Sequence, residues 1–181
     1  MATKSNFITW FNAVISADDF ESIYQAEVPR IYHFFCYRFG EGSLAEDLTA
    51  TTFEKAWRGR GRFRQQASVS TWLFAIARHV AEDYNRKHRH HAEISLEEAD
   101  DQPDSAILEE QAEKRADFAQ LSLLLARLAD RERELVALKY GGGLTNRAIA
   151  QLTGLTESNV AVILHRTLQS LRSAWEAKNE R

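Results

Sequence analysis

Apolar residues recur at intervals of three and four along every clearly patterned segment of this chain. From Phe20 to Phe39, for example, they follow the 3.6-residue repeat of an α-helix closely. There is no alternating strand pattern of any length, and no long-period repeat that would indicate a solenoid. The sequence therefore predicts an all-α fold.

Glycines and capping residues divide this pattern into separate helices. Gly40 and Gly42 end the first one, and Pro29 predicts either a kink within it or the start of a second helix. Ser43 followed by Glu46 has the spacing of a capping box and should open the next helix. The predicted starts or N-caps of the later helices are Ser68 or Ser70, a position near Ser105, Asp130, Thr145, and Thr156 or Ser158.

The net charge of -3 over 181 residues is an average of segments with opposite sign. Residues 92–113 contain nine acidic residues and no Lys or Arg, whereas residues 55–91 contain nine basic residues and two acidic ones. An acidic stretch with few large apolar residues is typical of a flexible linker. We therefore predict two small helical domains, over residues 1–91 and 114–181, joined by a flexible acidic linker.

Several classes of protein are disfavoured by what the chain lacks. A single cysteine, Cys36, cannot form an internal disulfide, and its aromatic neighbours predict a buried residue rather than a nucleophile. No apolar run reaches the roughly 20 residues of a membrane span, and no secretory signal is evident, so we expect a cytoplasmic protein. No Walker loop, dinucleotide fingerprint or Ser-His-Asp order appears, so we expect neither catalysis nor a cofactor.

A histidine cluster, His88, His90 and His91, has the composition of a metal-binding tract but no clear fourth ligand. It lies at the predicted end of a helix, beside the linker. We expect a solvated basic tail that gains charge below about pH 6.5 and no metal site.

The most informative local pattern is a helix-turn-helix over residues 145–166. Ala150 is small enough for two helices to cross closely, Gly154 provides the tight turn, and Val160 packs the second helix onto the first. The exposed start of the second helix would then face the major groove of DNA. An ordinary helical hairpin is the structural alternative.

A second pattern combines arginines with polar and aromatic residues over residues 63–78. Arginines neutralise phosphates, while amides, hydroxyls and aromatic rings contact unstacked bases, so the pattern suits single-stranded DNA. The alternative is that the aromatic residues form core and the arginines are only solvated, and core is the expected role of Trp72. Phosphate contacts are expected from Arg62, Arg64, Arg78, Arg86 and Lys87.

These patterns, in this order, resemble a bacterial RNA polymerase sigma factor of the extracytoplasmic-function (ECF, group IV) type. Residues 45–57 are similar to the family's polymerase-binding helix. Phe63-Arg64, Thr71-Trp72-Leu73 and Ile76-Ala77 are similar to its promoter-melting segment. The C-terminal helix-turn-helix is similar to the domain that binds the minus-thirty-five element. The resemblance implies that core RNA polymerase and promoter DNA are partners, and that an anti-sigma factor controls the chain.

The resemblance also implies three sets of site residues. The polymerase-binding set is Glu46, Asp47, Leu48, Phe53 and Trp57. The set expected to recognise and melt the minus-ten element is Arg62, Arg64, Gln65, Gln66, Ser68, Ser70, Arg78, His79, Asn85, Arg86 and Lys87. The set expected on duplex DNA is Arg147, Thr156, Glu157, Ser158, Asn159, Ala161, Val162, His165 and Arg166.

The chain departs from the family pattern at two places. Ala50 and Thr51 replace a usual Gln and acid on the polymerase-binding helix, and Ala161 and Ile163 replace a frequent Lys and Arg on the recognition helix. The second change removes two phosphate contacts and predicts weak duplex binding by the C-terminal domain. Two other functions remain open: a helix-turn-helix regulator that does not bind polymerase, and a helical protein-interaction module. The segment around Trp10 has no counterpart in the family pattern.

Overall fold

The computed structural model describes residues 15–64, 66–92 and 109–179. Within these ranges the chain is all-α, as predicted, with no strand. The helices are α1 (Ala17–Phe39), α2 (Ser43–Gly59), α3 (Val69–Ala92), α4 (Glu109–Ala126), α5 (Asp130–Val136), α6 (Asn146–Thr153) and α7 (Glu157–Asn179). The segment around Trp10, Gln65, the helix start near Ser105 and most of the acidic linker lie outside the described residues.

Hydroxyl side chains begin the helices that carry the two predicted DNA patterns. The Oγ of Ser68 accepts a hydrogen bond from the N–H of Thr71 at 3.1 Å. The Thr145 hydroxyl accepts a hydrogen bond from the N–H of Ala148 at 3.2 Å. The Thr156 hydroxyl accepts one from the N–H of Asn159, also at 3.2 Å. The predictions of Ser68, Thr145 and Thr156 as N-caps are therefore confirmed.

Two other predicted caps are wrong. Gly42 precedes α2 with a φ of +133°, which lets the chain enter the helix without a side-chain cap, and Ser43 is already helical. Ala129 precedes α5, and the Asp130 carboxylate pairs with Arg38 at 3.3 Å instead of capping. Ion pairing with a distant helix thus overrides the local capping preference of Asp130. The spacing of residues in the sequence does not show that pairing.

Pro29 lies inside α1, which is assigned as one helix of 23 residues. The alternative of a second helix starting at Pro29 is therefore wrong. Ser16 begins α1 with a capping box, since its Oγ accepts from the N–H of Asp19 at 3.1 Å. That cap was not predicted from the sequence.

The N-terminal unit, α1 to α3, packs around a core that is rich in aromatic residues. Phe34 and Phe35 of α1 are fully buried, and the Phe34 ring meets that of Phe74 edge to face at 5.8 Å between centroids. Each buried aromatic or aliphatic side chain contributes about 1.5–3 kcal/mol relative to an exposed one. Cys36 is buried among these residues, as predicted.

The C-terminal unit, α4 to α7, packs directly on the N-terminal unit, and the two share one buried apolar cluster. A π-helical turn at Ala137–Gly141 follows α5 and lies against α1. A Cβ added at Gly141 would lie 2.7 Å from the main-chain oxygen of His33. A Cβ at Gly142 would lie 2.6 Å from the ring of Phe74. Only glycine fits this contact, so the two glycines let the units approach closely.

Several large apolar residues that follow the helical spacing lie on the surface. Tyr24, Tyr140 and Leu168 belong to the apolar pattern of their helices, but all three are exposed. The spacing of apolar residues shows which face of a helix is apolar, but not how far the neighbouring helices extend along that face. Exposed apolar residues of this kind are available for contacts with other molecules.

Candidate nucleic-acid and polymerase interfaces

A cavity of about 300 Å³ opens between the 3₁₀ turn Arg60–Arg62 and the start of α3. Phe63 and Trp72 form one wall, with ring centroids 5.1 Å apart. The remaining lining residues are Arg62, Arg64, Gln66, Ala67, Thr71, Ala75 and Leu152. Apolar walls beside arginines and an amide suit a flat, polar-edged group such as a single nucleobase.

Basic residues surround this cavity and continue along α3. Arg62, Arg64 and Lys87 are exposed, and Gln66 and Ser68 are exposed beside them. Farther along α3, Asn85 is half-buried, while His79 is exposed and its Nδ1 lies 3.4 Å from Glu82. The structure therefore leaves most of the set predicted for the minus-ten element open to solvent, and it places Arg62, Arg64 and Gln66 at the cavity.

Arg86 is also exposed, but it is paired within α3. Its guanidinium donates to Asp83 at 2.7 Å, and Lys55 of α2 donates to the other oxygen of that carboxylate at 3.3 Å. The hydrogen bond from Lys55, with smaller effects of Arg86, lowers the pKa of Asp83. The carboxylate therefore stays charged and positions both cations.

Ser70 is placed differently from the rest of the set. Its hydroxyl donates to Glu27 at 3.3 Å and accepts from Arg30 at 3.0 Å, so it faces α1. It is half-buried and does not line the cavity. The structure gives it a contact between helices and does not bring it to the cavity.

Arg78 also lies on α3, but the C-terminal unit surrounds it. Its Nε donates to Glu134 at 2.7 Å, and its Nη1 donates to the main-chain oxygen of Leu152. Its Nη2 lies 3.5 Å from Glu82 on its own helix. The side chains of Arg78 and Glu134 are only 18% and 17% exposed.

The predicted polymerase-binding helix, α2, presents a mixed face. Glu46 and Asp47 are exposed, whereas Leu48 and Phe53 are buried and hold the helix against its neighbours. Trp57 is 40% exposed, and the Arg60 guanidinium lies 3.6 Å from the centroid of its ring system. The structure thus places three of the five predicted residues on the surface.

The helix-turn-helix has the predicted geometry. Gly154 ends α6 in the left-handed conformation, with φ of +72°, and its N–H donates to the main-chain oxygen of Ala150 at 3.0 Å. Val160 is fully buried and packs α7 against the unit. Every residue of the predicted duplex-binding set is exposed: Arg147, Thr156, Glu157, Ser158, Asn159, Ala161, Val162, His165 and Arg166.

Four polar residues join the two units, and their role was not predicted from the sequence: Arg30, Arg38, Asp130 and Glu134. Arg38 is buried, and its Nη1 donates to the main-chain oxygen of Asp130 at 2.8 Å. Burial lowers the pKa of Arg38, and the nearby carboxylates of Asp130 and Glu134 oppose that effect. The available signal was the presence of two arginines, eight residues apart, in the mostly apolar C-terminal half of α1.

His88 makes contacts within its own helix. Its Nδ1 lies 2.9 Å from the main-chain oxygen of Tyr84, and its ring stacks on that of Tyr84 at 3.9 Å. Among the residues described, no group of three or more His, Cys, Asp or Glu could hold a metal ion. In the same part of the chain, no helix is both long and apolar enough to cross a membrane.

Two family models cover the two units in chain order. Sigma-70 region 2 matches residues 23–91, and Sigma-70 region 4 matches residues 118–171. These matches define the class of protein as an RNA polymerase sigma factor.

Individual relatives agree with this class. RNA polymerase sigma factor CarQ of Myxococcus xanthus is 30% identical over 155 residues, which cover 86% of this chain and 88% of CarQ. ECF RNA polymerase sigma factor BldN of Streptomyces coelicolor is 28% identical over 162 residues. That match covers 86% of this chain but 60% of BldN. The chain belongs to the sigma-70 family of RNA polymerase sigma factors and is of the ECF type.

The fold also has solved counterparts. The sigma factor RpoE of Bartonella quintana, solved with the anti-sigma factor NepR, superposes with a TM-score of 0.67 at 20% identity. The superposition covers 88% of this chain and 98% of RpoE. At this level of identity the similarity establishes the helical fold.

Proposed function

We propose that this chain is a dissociable, cytoplasmic subunit of RNA polymerase that directs promoter recognition and DNA melting, and that it has no catalytic activity. The observation that carries the proposal is the occurrence of region 2 and region 4 in one chain, in that order. A helix-turn-helix regulator has no need of region 2, so the matches favour the sigma factor. The proposed domains are residues 1–91 and 114–181, with residues 92–113 as the linker.

The cavity beside α3 is the proposed site for a base of the minus-ten element. Extruding a base from the duplex costs a few kcal/mol of stacking, which a preformed cavity and phosphate contacts offset. Arg64 and Gln66 line the cavity next to the aromatic wall of Phe63 and Trp72. The exposed basic residues that continue along α3 would hold the opened strand by its phosphates.

The exposed face of α2 is the proposed contact with core RNA polymerase. Glu46, Asp47 and Trp57 provide two carboxylates and a large ring on one face of the helix, and the exposed residues Glu54 and Arg58 lie on the same face. Partly exposed aromatic residues often dominate the binding energy of protein interfaces. Leu48 and Phe53 contribute by holding this face in place.

The start of α7 is the proposed reader of the minus-thirty-five element as duplex. Its exposed residues lie at the N-terminus of a capped helix, which is the part of a recognition helix that reaches base edges. Arg147 on α6, with His165 and Arg166 on α7, would provide the basic contacts. Ala161 provides no charge, so duplex binding by this unit is expected to be weak.

We also propose an anti-sigma factor as a partner. The similar Bartonella protein was solved with one. The exposed apolar side chains of both units, such as Tyr24, Tyr140 and Val162, provide surface for such a protein.

The decisive experiment is transcription with purified core RNA polymerase and a promoter library, followed by sequencing of the transcript ends. The expected result is transcripts that start at a fixed distance from a shared pair of sequence elements and that require this chain. Folded protein that yields no promoter-dependent transcript would contradict the proposal. Pull-down with core enzyme separates it from the helix-turn-helix regulator, which would bind DNA but not polymerase.

A further inference from the structure

We propose that residues 7–14 dock on an aromatic surface between α1 and α2, and that core RNA polymerase displaces them from Trp57 when it binds. The aromatic surface consists of Phe20, Tyr24, Phe53 and Trp57. Residues 1–14 precede the described part of the chain, and the proposed function assigns them no role. The docking stands on the surface itself, whereas the competition with polymerase rests on the proposed contact through α2.

The aromatic surface has a buried floor and two open rings. Phe20 and Phe53 form the floor, since they are only 7% and 5% exposed and their ring centroids lie 6.5 Å apart. Tyr24 packs edge to face on Phe53 at 4.8 Å, and Trp57 packs in the same way on Phe20 at 5.1 Å. Tyr24 and Trp57 nevertheless remain 43% and 40% exposed. Two large rings that lie open beside a buried aromatic floor provide an apolar surface for a further segment.

The chain enters α1 at the edge of this surface. Ser16 caps the helix, so Ile15 lies at the position before the cap and Phe20 at the fourth helical position. These are the two positions of a hydrophobic staple, which fixes the direction from which a chain enters a helix. Ile15 and Phe20 are both buried in the core cluster. Because the ring of Phe20 also contacts Trp57, the residues that precede Ile15 start beside the aromatic surface.

The segment before Ile15 has the composition of an occupant for this surface. Four of its five large apolar residues recur at intervals of three and four: Phe7, Trp10, Phe11 and Val14. Residues 5–17 contain no charged side chain. The spacing of residues 7–14 predicts an amphipathic helix about 12 Å long. A helix this short is not stable alone in water, so its apolar face requires a partner surface.

Connection within one chain favours this occupant over a second copy of the chain or a foreign apolar segment. Val14 is joined directly to Ile15, so the segment reaches the aromatic surface without a linker. A segment held this close has an effective concentration that is roughly millimolar, far above the concentration of a free partner. The segment therefore buries its apolar face on its own chain.

Docking affects polymerase binding through Trp57. Its ring belongs to the aromatic surface, and the proposed polymerase contact uses the same ring together with Glu46 and Asp47. The Arg60 guanidinium lies 3.6 Å from the centroid of that ring system, which leaves the remaining ring surface for one further contact. Polymerase therefore binds the undocked form, and its apparent affinity falls in proportion to the undocked fraction. A docked fraction of about nine tenths weakens apparent binding about tenfold.

Two double variants of the full chain test this inference. Trp10→Ala with Phe11→Ala is the test variant, which removes two rings from the apolar face of the segment. Thr9→Ala with Asn12→Ala is the matched control, since it changes two residues on the opposite face of the predicted helix. Alanine favours a helix at all four positions, so the loss of apolar area is confined to the test variant.

The first measurement is the nuclear magnetic resonance signal of the Trp57 indole N–H, which is assigned by its loss in Trp57→Phe. Without polymerase, this signal should shift in the test variant, because the ring currents of Trp10 and Phe11 no longer act on it. It should keep its wild-type position in the control, at every protein concentration. The second measurement is binding to core RNA polymerase. The test variant should bind about tenfold more tightly than wild type and control.

The outcomes separate docking, competition and the proposed function. An unchanged Trp57 signal in the test variant would overturn the docking, and a signal that depends on protein concentration would assign the surface to a second copy and overturn it too. A shifted signal with unchanged or weaker polymerase binding would overturn the competition. If no form of the chain binds core polymerase, the proposed function fails and the competition fails with it, while the Trp57 signal still decides the docking.

Discussion

Arg30 and Gly142 are joined by two hydrogen bonds, from Nε at 2.9 Å and Nη2 at 2.7 Å to one main-chain oxygen. The third nitrogen, Nη1, binds Glu27 at 2.9 Å and Ser70 at 3.0 Å. One side chain thereby connects α1, the start of α3 and the segment after the π-helical turn. Its position is fixed by partners on three sides.

Arg30→Ala should therefore lower the free energy of unfolding by about 1–3 kcal/mol, because it leaves a partly buried oxygen without its charged donor. Urea denaturation followed by circular dichroism measures this. Arg58→Ala is the control, since Arg58 is 73% exposed and pairs with Glu54 one turn away. The control should cost less than about 0.5 kcal/mol. Equal losses for the two variants would show that the two hydrogen bonds from Arg30 to Gly142 contribute no more to stability than an exposed ion pair does.

Arg64→Ala should weaken strand capture without destabilising the protein, because Arg64 is exposed and lines the base cavity. In complex with core polymerase, the slope of log affinity against log salt for single-stranded DNA should fall by about 0.7, the value for one lost phosphate contact. Fluorescence of 2-aminopurine in the minus-ten element reports base extrusion in the same complex. An unchanged slope and an unchanged fluorescence signal would remove Arg64 from the site.

Ala161→Lys should strengthen binding to promoter duplex, because it adds a cation to the exposed start of α7. For full-length protein in complex with core polymerase, the salt slope should increase by about 0.9. Ala174→Lys is the matched control: it is exposed on the same helix, about 20 Å farther along. The idea that α7 approaches DNA with its first turns is wrong if both variants gain equally.

The Cys36 thiol should be unreactive at neutral pH and should make stability fall in alkaline solution. Burial raises the pKa of Cys36 from 9.0 to about 11. Between these values the unfolded chain loses its proton while the folded chain keeps it, so the free energy of unfolding falls as pH rises. The slope is at most about 1.4 kcal/mol per pH unit.

Urea titrations between about pH 8 and about pH 11 test this, together with thiol labelling by a chromogenic disulfide. Cys36→Ala should flatten the decline, although Tyr32, whose pKa is raised to about 12 by burial, leaves a residual slope above pH 10. Rapid labelling of the folded protein at pH 7 would contradict the expected protection.

The sequence predicted the parts of this molecule that depend on local chemistry. The helices follow from apolar spacing, and the caps at Ser68, Thr145 and Thr156 follow from the need of the first N–H groups for an acceptor. The turn at Gly154 follows from a backbone conformation that glycine adopts without strain. The helix-turn-helix was predicted almost in full because its caps and its turn both depend on local chemistry.

Contacts between segments distant in sequence could not be predicted in the same way. Nothing near Asp130 shows that it pairs with Arg38 rather than capping α5, and nothing near Arg78 points to Glu134. Ser70 was assigned to DNA with its neighbours because the spacing does not show that it faces Glu27 and Arg30. These relationships depend on how the two units pack, which is decided by shape and buried area and not by any local pattern.

The hydrogen bonds from the arginines to Gly142, Asp130 and Leu152 all end on main-chain oxygens, and these acceptors do not depend on which side chain the C-terminal unit carries there. Substitutions at positions 130 and 152 therefore leave the acceptors in place, while replacement of the arginines removes the donors. The N-terminal unit thus provides the side-chain donors of these three bonds, whereas the C-terminal unit must keep the carboxylates that pair with Arg38 and Arg78. A chimaera that receives the C-terminal unit of another ECF sigma factor should still pack on α1, provided that it keeps these carboxylates and the glycines where the turn meets α1.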